Sequence, residues 1–257
     1  MTATATPTRQ SRLLPVAVLV TAVLQAVAPV VTLAGPGTSP GGGSGPDLLI
    51  TPVGWAFSIW GVIYTLAIVQ AVAALVTGAT GSERRQVAQV VLYLGGTAWI
   101  ALAGLDSSIA TAAALTVMFG AALVAVLAVE QETFERSWLG TLTRAAVGLY
   151  AGWVTAAFFL NVSTALVDLG AFEAGDVTWQ VVVLGVAVLV LLGVTAAVHG
   201  SVAYAAAGVW AMIGISVTAQ EDGTGEVAGA TLVGIVLLVV ATIVLGLRRR
   251  KAPLPVL

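Results

Sequence analysis

Four residues in the segment 150–161 (YAGWVTAAFFLN) have types and spacing suited to holding a ligand. At 100° per residue, Tyr150, Trp153, Ala157 and Asn161 share a sector of about 80° on one helix face. Indole and phenol rings stack on flat aromatic molecules, an amide orients a polar edge, and a small alanine leaves room between them. The chemistry on offer is binding rather than bond making. The sequence shows no nucleophile–base pair, carboxylate dyad or Gly-rich phosphate loop, so it gives no residue-level support to an enzyme. The segment lies inside an apolar run long enough to cross a bilayer, where lipid gives an Asn amide no partner, so this face must look into protein or a cavity. Two readings of Asn161 stay open: a bond to a neighbouring helix, worth about 0.6 kcal/mol on average, or a ligand contact.

The composition says what must position these residues. The chain has 257 residues, of which 59% are hydrophobic and only 9% charged, and its mean hydropathy is +1.04. Soluble domains carry about 25% charged residues, so the partner of most of this surface is the lipid bilayer. Cysteine is absent, which excludes disulfides and thiolate metal sites. A net charge of −2 points to no nucleic-acid partner. Runs of about 20 apolar residues span a membrane; breaks at charges, Gly and Pro predict eight, over 13–34, 53–77, 86–104, 107–129, 143–167, 179–198, 201–218 and 228–247. The expected fold is an all-α polytopic membrane protein.

Charge fixes the direction of the spans. With the N-terminus inside, the inner segments hold all 10 Lys and Arg residues, from Arg9 and Arg12 to the tail Arg248, Arg249, Arg250 and Lys251. The outer segments hold Asp47, Asp106, Asp168, Glu173, Asp176, Glu221, Asp222 and Glu226 and no basic residue. The positive-inside rule therefore predicts N-in and C-in, with both termini cytoplasmic in a bacterial plasma membrane. The span 201–218 is the weakest, being short and preceded by the break VHGS, and a re-entrant segment is its alternative. The first span is read as a retained helix because its apolar run exceeds the roughly 7–15 residues of a signal-peptide core. The loop 35–49 is rich in Gly, Ser and Pro and is expected to be flexible and exposed outside.

Depth follows from a rise of about 1.5 Å per residue. Trp60 lies about 12 Å below the outer edge and Tyr64 nearer the middle. Trp99 and Asn161 lie about 10 Å below it, with Trp153 close to the midplane. Three helices thus bring Trp60, Trp99, Trp153 and Asn161 into the outer half of the membrane, beneath the 35–49 loop, as a pocket with a mobile lid would require. Trp55, Trp138 and Trp179 are accounted for as an interfacial aromatic belt. For Trp60 and Trp99 belt and pocket are equally good readings; Tyr64 and Trp153 are too deep for a belt.

The motifs carry a resemblance. Tyr150-x-x-Trp153-Val154-Thr155 followed by Leu160-Asn161 resembles the fifth helix of the TspO/MBR family, the translocator or tryptophan-rich sensory proteins. Pro52, Gly54, Trp55, Phe57, Trp60 and Tyr64 resemble that family's entry into its second helix, although the gap from Phe57 to Trp60 is one residue shorter. Gly96-Thr97-Ala98-Trp99 is a reduced form of the third-helix signature, without its Asn. The resemblance covers about 12–168. It implies a TspO-like five-helix transmembrane bundle over 1–168, followed by three additional transmembrane helices and a basic cytoplasmic tail over 169–257. It also implies a pocket under the first loop that takes a porphyrin, haem-like tetrapyrrole or other flat hydrophobic small molecule, with no cofactor required. By position, Trp60, Tyr64, Trp99, Trp153, Ala157 and Asn161 carry over as ligand-binding residues. The implied function is a membrane receptor or sensor that binds such a ligand, transports it or regulates its level; a homodimer is an open option. The alternative is a secondary transporter of a small hydrophobic solute, and a porphyrin-degrading enzyme stands behind both.

Other polar residues are expected to be structural. His199 has no second His, Cys or carboxylate cluster beside it, so no metal is expected. Asp106 is read as solvated or as a cap, Glu130, Glu132, Glu135 and Arg136 as a solvated helix end, and Gln25 and Gln70 as interhelix bonds.

Overall fold

The computed structural model describes residues 12–34 and 45–251. Among these, eight helices are long and apolar enough to cross a membrane: α1 Leu13–Ala34, α2 Ile59–Thr77, α3 Glu83–Ala103, α4 Ser108–Glu130, α5 Ser137–Asp168, α6 Val177–Ala197, α7 Val202–Glu221 and α8 Gly225–Lys251. A 3₁₀ turn, Gly54–Ser58, leads into α2. Every predicted span is present, and no strand occurs among the described residues.

Local chemistry sets the ends. Ser82 caps α3 by accepting from the Arg85 N–H, Ser107 caps α4 by accepting from Ala110, and Asp176 caps α6 by accepting from Thr178; each satisfies a helix-start N–H that lacks an intrahelical acceptor. The α4 cap is thus Ser107, while Asp106 is exposed at φ 54 in the turn before it. Gly78 ends α2 in the left-handed conformation that favours glycine. Within the spans, Thr21, Thr97, Thr116, Thr143, Thr155 and Thr242 return their hydroxyls to carbonyls four residues earlier, so these hydroxyls do not meet lipid unbonded.

Two helices differ from expectation. The weakest span, 201–218, is a full 20-residue helix, α7, and among the most buried in the molecule. Helix α5 runs 32 residues and starts six positions before the expected 143. At about 1.5 Å per residue it reaches about 48 Å, well beyond a roughly 30 Å hydrocarbon layer. Nothing between Ser137 and Thr143 breaks it: Thr141 bonds back to the Ser137 carbonyl, and Arg144 lies over the Phe134 ring at 5.1 Å while donating to the Glu132 carbonyl.

Helices α1, α2, α5, α4 and α3 form a closed ring in that order, each touching the next. Helix α7 packs along the outside of α5 and against the 3₁₀ turn, α8 covers α7, and α6 rests on α8 more than on α5 or α7. The α5–α7 contact depends on glycine. A Cβ at Gly152 would lie 2.2 Å from the Tyr204 carbonyl oxygen, and one at Gly148 would lie 3.1 Å from the Ser201 hydroxyl. This is the close approach that small residues four apart permit in membrane helices. The Tyr204 hydroxyl then reaches Thr155 Oγ1 at 2.9 Å.

The two ends of the bundle are chemically distinct. At one end Arg85, only 1% exposed, pairs with Glu132 at 3.0 Å. Glu130 faces Arg249 at 3.3 Å and Arg144 at 3.9 Å, which ties the end of α8 to the α4–α5 junction. Glu130 and Glu132 are therefore buried partners rather than a solvated end. At the other end the Ser108 hydroxyl bonds Asp168, joining α4 to α5.

Candidate functional site

The aromatic residues singled out in the sequence converge. Trp60 stands at their centre: its ring centroid is 5.3 Å from Tyr64, 5.9 Å from Trp99, 5.7 Å from Tyr150 and 6.1 Å from Trp153. Tyr64 stacks on Trp60 at 25°, whereas Tyr150 and Trp153 meet it edge to face; both arrangements suit aromatic quadrupoles. Phe57 meets Trp153 edge-on at 5.8 Å. Tyr150 turns away, stacks on Tyr93 and donates to Gln25 Oε1 at 2.7 Å. The interior of the five-helix ring is thus filled with rings.

A cavity of about 50 Å³ lies beside this cluster, and Trp60, Trp99, Trp153, Ala157 and Asn161 are on its wall. Tyr64 is not; it supports Trp60 from behind. The opposite wall was not anticipated. It comes from α6 and α7, through Leu184, Ala187, Leu191, Gly208, Met212 and Ile215. The cavity therefore lies between the ring and the C-terminal helices rather than within helices 2, 3 and 5 alone. The small residues Gly148, Gly152 and Ala207 were the available signal, since they let α7 approach α5.

The polar atoms of the wall are few. Trp99 Nε1 donates to Asn161 Oδ1 at 3.0 Å, and Asn161 Nδ2 donates to the Ala157 carbonyl at 3.0 Å. The interhelix reading of Asn161 is thus realised, linking α3 to α5. The indole nitrogens of Trp60 and Trp153 are buried with no hydrogen-bond partner. A buried donor left unpaired costs about 1–3 kcal/mol; away from the cavity, Gln25 Nε2, Gln86 Oε1 and Thr195 Oγ1 are also buried without a partner.

The connection between α1 and α2 closes one side. The part of the expected lid at 35–44 lies outside the described residues. The part that follows is docked: Leu48 and Ile50 are buried in a cluster with Trp179, Leu184 and Ile215. The Ile50 N–H donates to Gln180 Oε1 at 3.3 Å. Val53 donates to the Gly214 carbonyl at 3.1 Å, and Trp210 Nε1 to the Ala56 carbonyl at 2.8 Å. Leu48, Leu49 and Ile50 are apolar and find apolar partners, so this stretch anchors the entry to α2.

The remaining tryptophans divide. Trp55 and Trp138 are about half exposed, as belt residues are, though Trp55 also meets Trp210 edge-on at 5.1 Å. Trp179 is buried, stacks on Phe172 at 4.9 Å and donates to the Glu173 carbonyl.

A family model described as TSPO-like protein matches residues 12–244. The chain belongs to the TSPO-like family. The match runs from α1 into α8, so the three C-terminal helices fall inside it. No curated protein and no solved structure matches the chain. In this TSPO-like chain His199 is exposed in the α6–α7 turn at φ 52, and no His, Cys, Asp and Glu cluster that could hold a metal occurs among the described residues.

Proposed function

We propose that this TSPO-like membrane protein binds a flat, largely apolar ligand of the porphyrin type, as a receptor that senses it, moves it or limits its level. The observation that carries this reading is the cavity itself. Indole rings from three ring helices meet an aliphatic wall from α6 and α7, and two of those indoles keep an unspent N–H. The cavity holds only about 50 Å³, whereas sites for drug-sized molecules are about 300–1,000 Å³. Binding therefore requires a wall to move. Helix α6 is the natural one, because it is held mainly by α8. We place the Arg85 end of the bundle, with both termini, on the cytoplasmic side of a bacterial plasma membrane, since basic residues gather there.

The test is quenching of intrinsic tryptophan fluorescence in detergent by protoporphyrin, supplied both as the diacid and as its dimethyl ester. Saturable quenching that weakens at least about tenfold in Trp153→Ala supports the pocket. Equal, weak binding of both probes by wild type and variant would sink it.

A further inference from the structure

None of the described residues lining the cavity is Asp, Glu, Lys, Arg or His. The polar groups on its wall are the indoles of Trp60, Trp99 and Trp153 and the amide of Asn161. Asn161 and Trp99 are already bonded to each other, which leaves Trp60 and Trp153 as the residues of this wall whose buried N–H donors have no partner. Both residues are more than nine-tenths buried, with Trp60 at 7% and Trp153 at 2% exposure. Charge near the site has the wrong sign for an anion. Asp168 lies on the same helix, about 10 Å beyond Asn161, and Arg85 at the opposite end has all three guanidinium nitrogens engaged by Glu132, Gln89 and Thr80.

We infer that this site selects neutral, flat ligands that present hydrogen-bond acceptors such as carbonyl or ester oxygens, and that it discriminates against carboxylates. The inference rests on the binding reading above and sharpens its ligand class. An ionised carboxylate entering here would lose its hydration with no countercharge to replace it. A carbonyl or ester oxygen has a small desolvation cost and can accept from an indole N–H that is otherwise unpaired. A neutral ligand of this kind is also one that dissolves in the bilayer around the protein.

The test compares protoporphyrin with its dimethyl ester on the full-length protein in one detergent, by tryptophan quenching. The two probes share the macrocycle and differ in two carboxylates. At about pH 8 the ester is expected to bind at least about tenfold more tightly. The gap should narrow as pH falls to about 4.5, close to the usual carboxylate pKa, because protonation begins to neutralise the acid, while the affinity of the ester stays constant. A gap that does not change with pH would not come from ionisation of the carboxylates and would overturn the inference. Asn161→Lys, which adds a cation at the wall, should raise the affinity for the diacid relative to the ester. A diacid that binds wild type as tightly as the ester at pH 8 would overturn the charge selection while leaving the pocket standing. Failure of both probes to quench would instead overturn the binding function.

Discussion

Two buried regions of this protein solve the problem of polar groups in a membrane in opposite ways. At the Arg85 end, the guanidinium contacts Glu132 at 3.0 Å through Nε, Gln89 at 2.6 Å and the Thr80 carbonyl at 2.7 Å. Ser82 adds a bond to the same carboxylate, and Gln89 passes the network on to Gln70 and Tyr93. Beside the cavity, by contrast, two indole donors lack partners and space remains. The first region is a bonded clamp between α3 and the α4–α5 connection. The second retains the unpaired groups and the room that a ligand would use. Stability and binding should accordingly respond to different substitutions.

The largest effect is expected at the clamp. Glu132→Ala leaves Arg85 buried and unpaired, and removing one partner of such a pair typically costs about 3–5 kcal/mol. Thermal unfolding in detergent should show a large drop in midpoint, and replacing both partners by apolar residues should restore much of it. If Glu132→Ala unfolds like wild type, water reaches Arg85 and the clamp is not closed.

The next effect falls on the seam that joins the two regions. A Cβ at Gly152 would meet the Tyr204 carbonyl at 2.2 Å, and neither atom sits at the end of a flexible side chain. Gly152→Ala should force α7 away from α5 at a cost of about 1–3 kcal/mol and should weaken ligand binding, because α7 carries Gly208, Ala211 and Met212 on the cavity wall. Unchanged stability in this variant would mean that the α5–α7 contact is looser than the geometry requires.

The cavity should behave in the reverse manner. Ala157→Leu places three further carbons toward existing space, so stability should change by no more than about 1 kcal/mol. Porphyrin quenching should fall at least about tenfold, as the added side chain occupies the ligand's place. A variant that loses stability but keeps binding would move the ligand to another surface.

The contrast between these regions also explains what the sequence could reveal. Apolar run length and charge sidedness report on the partition between lipid and water, so all eight spans could be read, including the short α7. Depth counting brought Trp60, Trp99, Trp153 and Asn161 into the outer half of the membrane because helical rise is constant. It could not say which way each ring turns, so Tyr64 was grouped with the wall although it stacks behind Trp60. The α6–α7 wall was missed because its aliphatic residues look like any lipid-facing surface, and only the Gly148 and Gly152 spacing hinted that α7 docks on α5. Arg85 was only one of the ten basic residues counted on the inner side, since nothing local distinguishes it from Arg84. Its burial depends on Glu132, 47 residues away in sequence.

The smallest effect should come from Asn161, where the two readings of the amide can be separated. Its oxygen accepts from Trp99 and its nitrogen donates to the Ala157 carbonyl. In Asn161→Leu the indole of Trp99 loses its acceptor, and interhelix bonds of this kind in membranes average about 0.6 kcal/mol. A small fall in thermal midpoint is therefore expected, with the affinity for a neutral porphyrin changed by less than about threefold. The same small fall should appear in Trp99→Phe, and the double variant should add almost nothing, because both substitutions remove one bond. If Asn161→Leu costs affinity as heavily as Trp153→Ala, the amide leaves Trp99 for the ligand, and the wall described here is the resting arrangement of a site that rearranges on binding.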